Sequence, residues 1–215
     1  MPQVNIIDYK RVGRENLRNL LIRREYNREL NKKIKNHKNG TIILQEVPAE
    51  NYLEANVSSI KSLLDNGYEG IYMSFQRPYK NLSSLLEQNS VDTDKLLVID
   101  AATSFSGDIQ EYNPKCVYVA QDAEVESLVD TIYKSLLKIK GDKKFVFIDS
   151  LTTLGLHEAT SEISRFPKFL IKTLRENDFE DTTLLFNVAK DLTRKRYITN
   201  ISVYADEHIH LGLCT

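Results

Sequence analysis

The sequence is short of several things that would assign it quickly. It has two cysteines, no tryptophan, no long apolar run, and one stretch where glycine and lysine are both missing. No segment approaches the roughly 18 consecutive apolar residues of a membrane-spanning helix, so no bilayer-spanning segment is expected. The opening residues, MPQVNIIDYKR, lack the continuous apolar core of a secretory signal. Cys116 and Cys214 are far apart and match no metal-type spacing, which predicts two reduced thiols in a cytoplasmic protein. There is no internal repeat and no low-complexity segment. The last absence bears most on function. From Thr41 to Ile60, TIILQEVPAENYLEANVSSI, a strand-like run passes into a helical one without a single Gly or Lys. Many nucleotide-binding α/β proteins place a glycine-rich phosphate cradle and its lysine at that first turn.

What remains is ordinary in total and uneven in distribution. With 215 residues, 41% hydrophobic and 27% charged, the chain has globular composition and the length of one domain plus a small appendage. Of its 29 Lys and Arg and 30 Asp and Glu, eleven and three fall within Lys10 to Lys38, leaving 18 and 27 elsewhere. A segment of net charge +8 therefore precedes a body of −9. That segment, residues 1–39, is predicted as a helical arm ending at Gly40. Leu17, Leu21, Ile22, Tyr26, Leu30 and Ile34 recur mostly at three- or four-residue spacing, a narrow stripe able to dock on one neighbour. Arg14, Arg18, Arg23, Arg24, Arg28, Lys32, Lys33 and Lys35 fill the other faces. Charge asymmetry of this kind points to an acidic protein partner or a nucleic acid.

Residues 40–215 read as an α/β domain. TIILQE (41–46), GIYMSF (70–75), KLLVID (95–100), CVYVA (116–120), KFVFID (144–149) and TLLFNV (183–188) are strand-like, and DEHIHLG closes the chain as a last strand. Helices are expected over AENYLEANVSSIKSLLDNG with Gly67 as its stop, from Pro78 onward, from about Ala123 to Ile139, and from about Ser161 to Asn177, with Pro167 setting the start or a kink. Near-continuous apolar strands separated by helices predict a mostly parallel sheet covered on both faces. Ligands of such sheets bind beyond the carboxyl ends of the strands. The residues there are Glu46 to Glu50, Gln76 and Arg77, Asp100, Asp149 and Ser150, and Ala189 to Asp191.

KKFVFIDSLTTL is the most informative string. Four apolar residues end in Asp149 and Ser150, the place where a P-loop enzyme holds a Mg²⁺-bound water; the plainer reading is an Asp capping the next turn. KFVFIDSLTTL resembles the Walker B segment of the RecA superfamily, in particular its KaiC-like branch. GYEGIYMSFQRPYKNLSSLL, DTDKLLVIDA and ISVYADEHIHLG resemble that branch's later segments, in the same order, over roughly Asn39 to Gly212. The set is similar to archaeal KaiC-like proteins, and it implies a RecA-like fold that can assemble into homo-oligomers.

The same resemblance shows what has changed. QEVPAENYLEAN stands where the P-loop would be. Pro48 has no N–H to donate, and Glu46, Glu50 and Glu54 put negative charge where positive is needed. A carboxylate beside a triphosphate costs on the order of 1 kcal/mol per pair at 4 Å in water, and more when partly buried. Gln76 stands where KaiC-like ATPases carry a catalytic Glu, and Gln cannot take a proton as a base. The expectation is a pseudo-ATPase with a degenerate P-loop: no catalytic residue, no cofactor and no resident metal, acting as a protein-binding or regulatory module that self-associates. Two other expectations stand beside it. The arm, with Arg194, Lys195 and Arg196, would bind nucleic acid, or the domain would remain a nucleotide sensor or weak ATPase using ATP and Mg²⁺ through Asp149, Ser150, Gln76 and Arg77. The TRKR cluster with Lys190 reads first as salt-bridged surface. His208 and His210 share a strand face but, with no further ligand evident in sequence, read as an edge-strand pair. Ser104 and Ser106, in a polar loop, have no activating His. Of the eleven tyrosines, Tyr9, Tyr26, Tyr79 and Tyr204 are the candidates for base stacking.

Overall fold

The computed structural model describes residues 17, 21, 23–33, 40–103, 112–120, 123–157, 160–190 and 195–210, with backbone alone at 156–157, 160–163 and 195–198. A helix over 23–33 (α1) is followed by β1 (Ile42–Val47), α2 (Tyr52–Asp65), β2 (Glu69–Ser74), α3 (Tyr79–Gln88), β3 (Leu96–Asp100) and β4 (Cys116–Tyr118). Then come α4 (Val125–Leu136), β5 (Lys144–Asp149), α5 (Leu151–His157), α6 (Thr160–Glu176), β6 (Thr183–Ala189), α7 (Lys195–Ser202) and β7 (Glu207–His210). The strands form one sheet in the order β4-β3-β2-β5-β6-β1-β7, and every neighbouring pair is parallel.

Alternation along the strands explains why both faces are covered. On β1, Ile42 and Leu44 join one core with Val146 and Ile148 of β5, and α4, α5, α6 and α7 pack on it through residues such as Ile132, Leu154, Phe166, Leu170 and Ile201. Ile43 and Val47, with Phe145 and Phe147, belong to the other core, closed by α1, α2 and α3 through Tyr26, Leu30, Ile60, Leu63, Leu82 and Leu86. Crossovers between parallel strands need these helices, so the sheet is buried on both sides.

Local signals set the element ends. Gly67 has φ +81°, the left-handed region. Its N–H donates to Leu64 O at 3.0 Å, and the N–H of Tyr68 to Leu63 O at 3.1 Å, the paired bonds that close a helix on glycine. Helix α6 starts at Thr160, next to the expected Ser161, so Pro167 lies inside it and, of its two expected roles, does not set the start. One helix was not expected. A further helix, α5, follows Asp149 directly, and its cap is Ser150, whose Oγ accepts the Thr153 N–H at 3.1 Å.

The arm also differs from a single stripe. Tyr26 and Leu30 are fully buried against the body, whereas Leu17 and Leu21 are 58% and 57% exposed. Nine residues separate each pair, and nine steps of about 100° amount to half a turn, so the apolar residues divide between opposite sides of the helix. Asn31 Oδ1 accepts from Ser62 Oγ (2.9 Å) and Asn66 Nδ2 (2.6 Å) on α2, and Lys33 pairs with Glu207 at the start of β7. Arg24, Arg28 and Lys32 lie exposed on the far side; Arg14, Arg18 and Lys35 fall outside the described residues.

This seating is measurable. Leu30→Ala should lower unfolding free energy by about 2–5 kcal/mol, while Leu21→Ala stays within about 0.5 kcal/mol, in urea denaturation of the full chain. Equal, small effects would mean that the arm does not pack on its own body.

Candidate functional site at the carboxyl edge of the sheet

The central strands carry buried polar residues among their apolar ones, toward their carboxyl halves. Gln45 of β1, Asn187 of β6 and Asp149 of β5 all have 0% exposure, and Tyr72 of β2 is also buried. They share the face covered by α2, and that helix presents Tyr52, Asn56 and Ser59, at the i, i+4, i+7 spacing of one helical side. Two separate sets of hydrogen bonds run through the layer, one between Ser59 and Gln45 and one from Asn187 to Asp149. Ser59 Oγ donates to Gln45 Oε1 at 3.0 Å, Asn187 Nδ2 to Asn56 Oδ1 at 2.5 Å, and Asn56 Nδ2 to the Tyr72 hydroxyl at 3.4 Å. Tyr72 then donates to Asp149 Oδ2, and Tyr52 donates to Asp149 Oδ1 at 2.7 Å. The Gln45 amide nitrogen and the Asn187 carbonyl oxygen are each buried without a partner, yet the two residues are directly opposed in the β1–β6 register and offer complementary donor and acceptor.

The consequence for chemistry is direct. Each oxygen of Asp149 accepts a tyrosine hydroxyl, and no surface of the residue reaches solvent. The strand-to-helix turn in front of it is only Pro48 and the short 3₁₀ turn Ala49–Asn51, where the Asn51 N–H donates to Pro48 O at 3.0 Å. Helix N-termini favour anions, and here the first turn of α2 contains the chain's own buried Glu54. Ser150 is likewise committed, to the α5 cap and to Thr153 Oγ1 at 3.0 Å.

The other sequence candidates are scattered. Gln76 is exposed beyond β2, and Arg77, half-buried, is held by its backbone, its N–H donating to Ser74 Oγ at 3.0 Å and its carbonyl accepting from the same hydroxyl at 2.7 Å. Asp100 is a loop organiser: its carboxylate accepts the N–H groups of Tyr79 (2.6 Å), Ala102 (2.9 Å) and Thr103 (2.8 Å) and the Thr103 hydroxyl (2.5 Å). Tyr26 is buried, Tyr79 donates to Asn113 Oδ1 at 3.3 Å, and Tyr204 lies at the surface. Tyr9, Ser104, Ser106, Arg194 and Cys214 lie outside the described residues, as do the side chains of Lys195 and Arg196. Cys116 is free and buried; burial, aided by the nearby Asp100, pushes its thiol up to about 12, so it is no ready nucleophile. Among the described residues no helix is long and apolar enough to cross a membrane.

Tyr52, Tyr72, Ser59, Gln45 and Asn187 were not among the residues that stood out in the sequence. For Gln45 and Asn187 the signal was a polar residue interrupting an apolar strand, matched by Asn56 and Ser59 on one side of α2.

Burial raises the Asp149 carboxyl above its ordinary range, against the hydroxyl bonds and the Arg77 charge that lower it. Burial, and then the neighbouring Asp149 charge, also hold the Tyr52 and Tyr72 hydroxyls in their protonated, donating form. The native state therefore keeps the Asp149 proton at pH values where the unfolded chain has lost it. The stability it contributes is complete below about pH 4 and is lost as pH rises through the raised value. Relative to Asp149→Asn, the wild type should lose stability above about pH 4 at up to about 1.4 kcal/mol per unit. Urea denaturation across that range checks this, and parallel profiles for the two proteins would put the carboxyl in water.

No protein-family model matches the chain, and no curated protein does so significantly. Solved structures do. An uncharacterized protein of Pyrococcus horikoshii, solved in complex with an unknown peptide, superposes with a TM-score of 0.63 at 17% identity, covering 84% of this chain and 81% of that one. A KaiC-like protein of the hyperthermophilic archaeon Pyrococcus horikoshii OT3 does so with a TM-score of 0.54 at 18% identity, over 82% and 75%. The parallel sheet, its strand order and these superpositions together give the chain a RecA-like, KaiC-like α/β fold.

Proposed function

We propose that the chain is a non-catalytic, pseudo-ATPase form of this fold that serves as a protein-binding or regulatory module and associates with itself. The observation that carries the reading is the covered Asp149. Tyr52 comes from the helix that a phosphate cradle would precede, and its hydroxyl occupies the carboxylate oxygen that a Mg²⁺-bound water would need. The short Pro48–Asn51 turn and the carboxylate of Glu54 in the first turn of α2 argue the same way.

The arm supplies the binding surface. Its inner side is spent on its own body, which leaves Arg24, Arg28 and Lys32 as a cationic line facing outward, one helical turn apart. Facing a body of net charge −9, that line favours the acidic surface of a second copy. That a protein of the same fold was solved with a peptide bound lends the protein-binding role some support. The same cationic line is the feature that favours a nucleic acid as the acidic partner.

Three measurements test this. Calorimetric titration of ATP and ADP with Mg²⁺ into the full chain at about 100 μM should give no saturable heat. Saturable binding that disappears in Asp149→Ala would overturn the reading. Sedimentation velocity should show association at low salt that is lost at about 1 M salt, where the screening length falls to about 3 Å, and lost also in Arg24→Glu/Arg28→Glu/Lys32→Glu. Association unchanged by both would remove the electrostatic interface. A gel shift abolished by the triple variant, without any self-association, would favour the nucleic-acid reading instead.

A further inference from the structure

Strand β7 is the outer strand at its end of the sheet, and its pairing with β1 places Glu46 directly opposite His210 and Leu44 opposite His208. The period of two puts Glu46, His208 and His210 on one face, opposite to the face that buries Asp149. The two imidazoles are nearly parallel, 26° apart, with ring centres 5.7 Å from each other. One ligand atom from each of the three residues lies within 4.8 Å of the other two. His210 Nδ1 is 3.4 Å from Glu46 Oε1. Two ligands at about 2.0–2.1 Å from a tetrahedral zinc ion are separated by about 3.4 Å, so this pair already has the spacing of one coordination edge.

We propose that Glu46, His208 and His210 form a mononuclear site for a divalent transition metal of the zinc class. Two imidazoles and a carboxylate are a donor set suited to such ions, and three protein ligands leave a fourth position open. The exposure pattern fits that geometry. The Glu46 side chain is 13% exposed and the His210 side chain 56%, so the carboxylate forms the floor of the site and the open position faces solvent beyond His210.

The ligands also need little reorganisation, because backbone pairing fixes two of the three residues opposite or beside each other before any metal arrives. The site would act as a clasp. Strand β7 is only four residues long, and its beginning is already tied down: Asp206 Oδ2 accepts the Ile42 N–H at 2.9 Å, and Lys33 pairs with Glu207. A metal held by Glu46 and both histidines secures its other end to β1.

The test uses the full chain after removal of metal by chelation, with Co²⁺ alone as the probe. One equivalent of Co²⁺ per chain should bind with the visible absorption of a four-coordinate site, and Zn²⁺ should displace it and raise the thermal midpoint. Since loss of a residue behind a ligand already costs 10- to 100-fold in affinity, loss of a ligand should cost at least about 100-fold. Glu46→Gln, His208→Gln and His210→Ala should each show it, with circular dichroism of the metal-free variants unchanged. His210→Ala keeps the test open should either half-buried residue resist replacement, because His210 is at the surface. Absence of a saturable equivalent in the wild type, or Co²⁺ affinity unchanged in Glu46→Gln/His210→Ala, overturns the site.

Discussion

A carboxylate with no access to water dictates much of this structure. An unpaired buried charge is among the most expensive features a fold can carry, so Asp149 must either remain protonated or be supplied with donors. Two tyrosine hydroxyls supply them, one from β2 and one from the first turn of α2. That requirement fixes where α2 begins and how it is rotated, because Tyr52 reaches Asp149 only if the polar side formed with Asn56 and Ser59 faces the sheet. Gln45 and Asn187 then complete a layer that would be costly under an apolar helix and is largely satisfied under this one. The carboxylate that ends β5 is thereby covered by hydroxyls from α2 and β2.

The arm is governed by a different balance. A helix bearing many like charges gains little from burial on all sides, so its apolar residues have to be rationed by face. Tyr26 and Leu30 are committed to the core they share with α2 and the sheet, and Asn31 and Lys33 add polar contacts at the same seam. The long-range attraction between a cationic segment and an anionic body acts within the chain first, at the Lys33–Glu207 pair. What remains outward, at Arg24, Arg28 and Lys32 with the exposed Leu17 and Leu21, is the part free to meet something else.

The fold was largely legible because its signals are local and redundant. Each strand core was visible as a short apolar run, and Gly67 stops α2 by the left-handed geometry that glycine alone adopts without strain. One helix was not legible. Helix α5 is seven residues long, too short for periodicity to speak, and its one cue was Ser150 three residues before Thr153. Helix α6 was read close to its observed bounds, and it runs through Pro167 because the side carrying Phe166, Leu170 and Leu174 is so well buried that packing outweighs one missing backbone bond. The site was half legible. Asp149 stood out because an acid ends an apolar run, whereas Tyr52 and Tyr72, which decide what that acid can do, have nothing in their local sequence to distinguish them from half-buried core tyrosines.

Glu46 shows the same limit from the other direction. In sequence it counts as one of several acidic residues that make the first turn hostile to phosphate, and the two histidines lie far along the chain with nothing to pair them to it. Parallel pairing is what joins them, since the strand that ends the sheet lies against the strand that begins it. The rule that open α/β sheets use the carboxyl ends of their strands then applies unequally to the two faces. Over β5 the α2 face is occupied by the chain's own hydroxyls, while over β1 and β7 the opposite face presents two imidazoles and a carboxylate toward solvent. Among the described residues, the carboxylate that ends β5 is taken by the chain's own hydroxyls, whereas the ligand atoms that β7 and β1 bring together face outward.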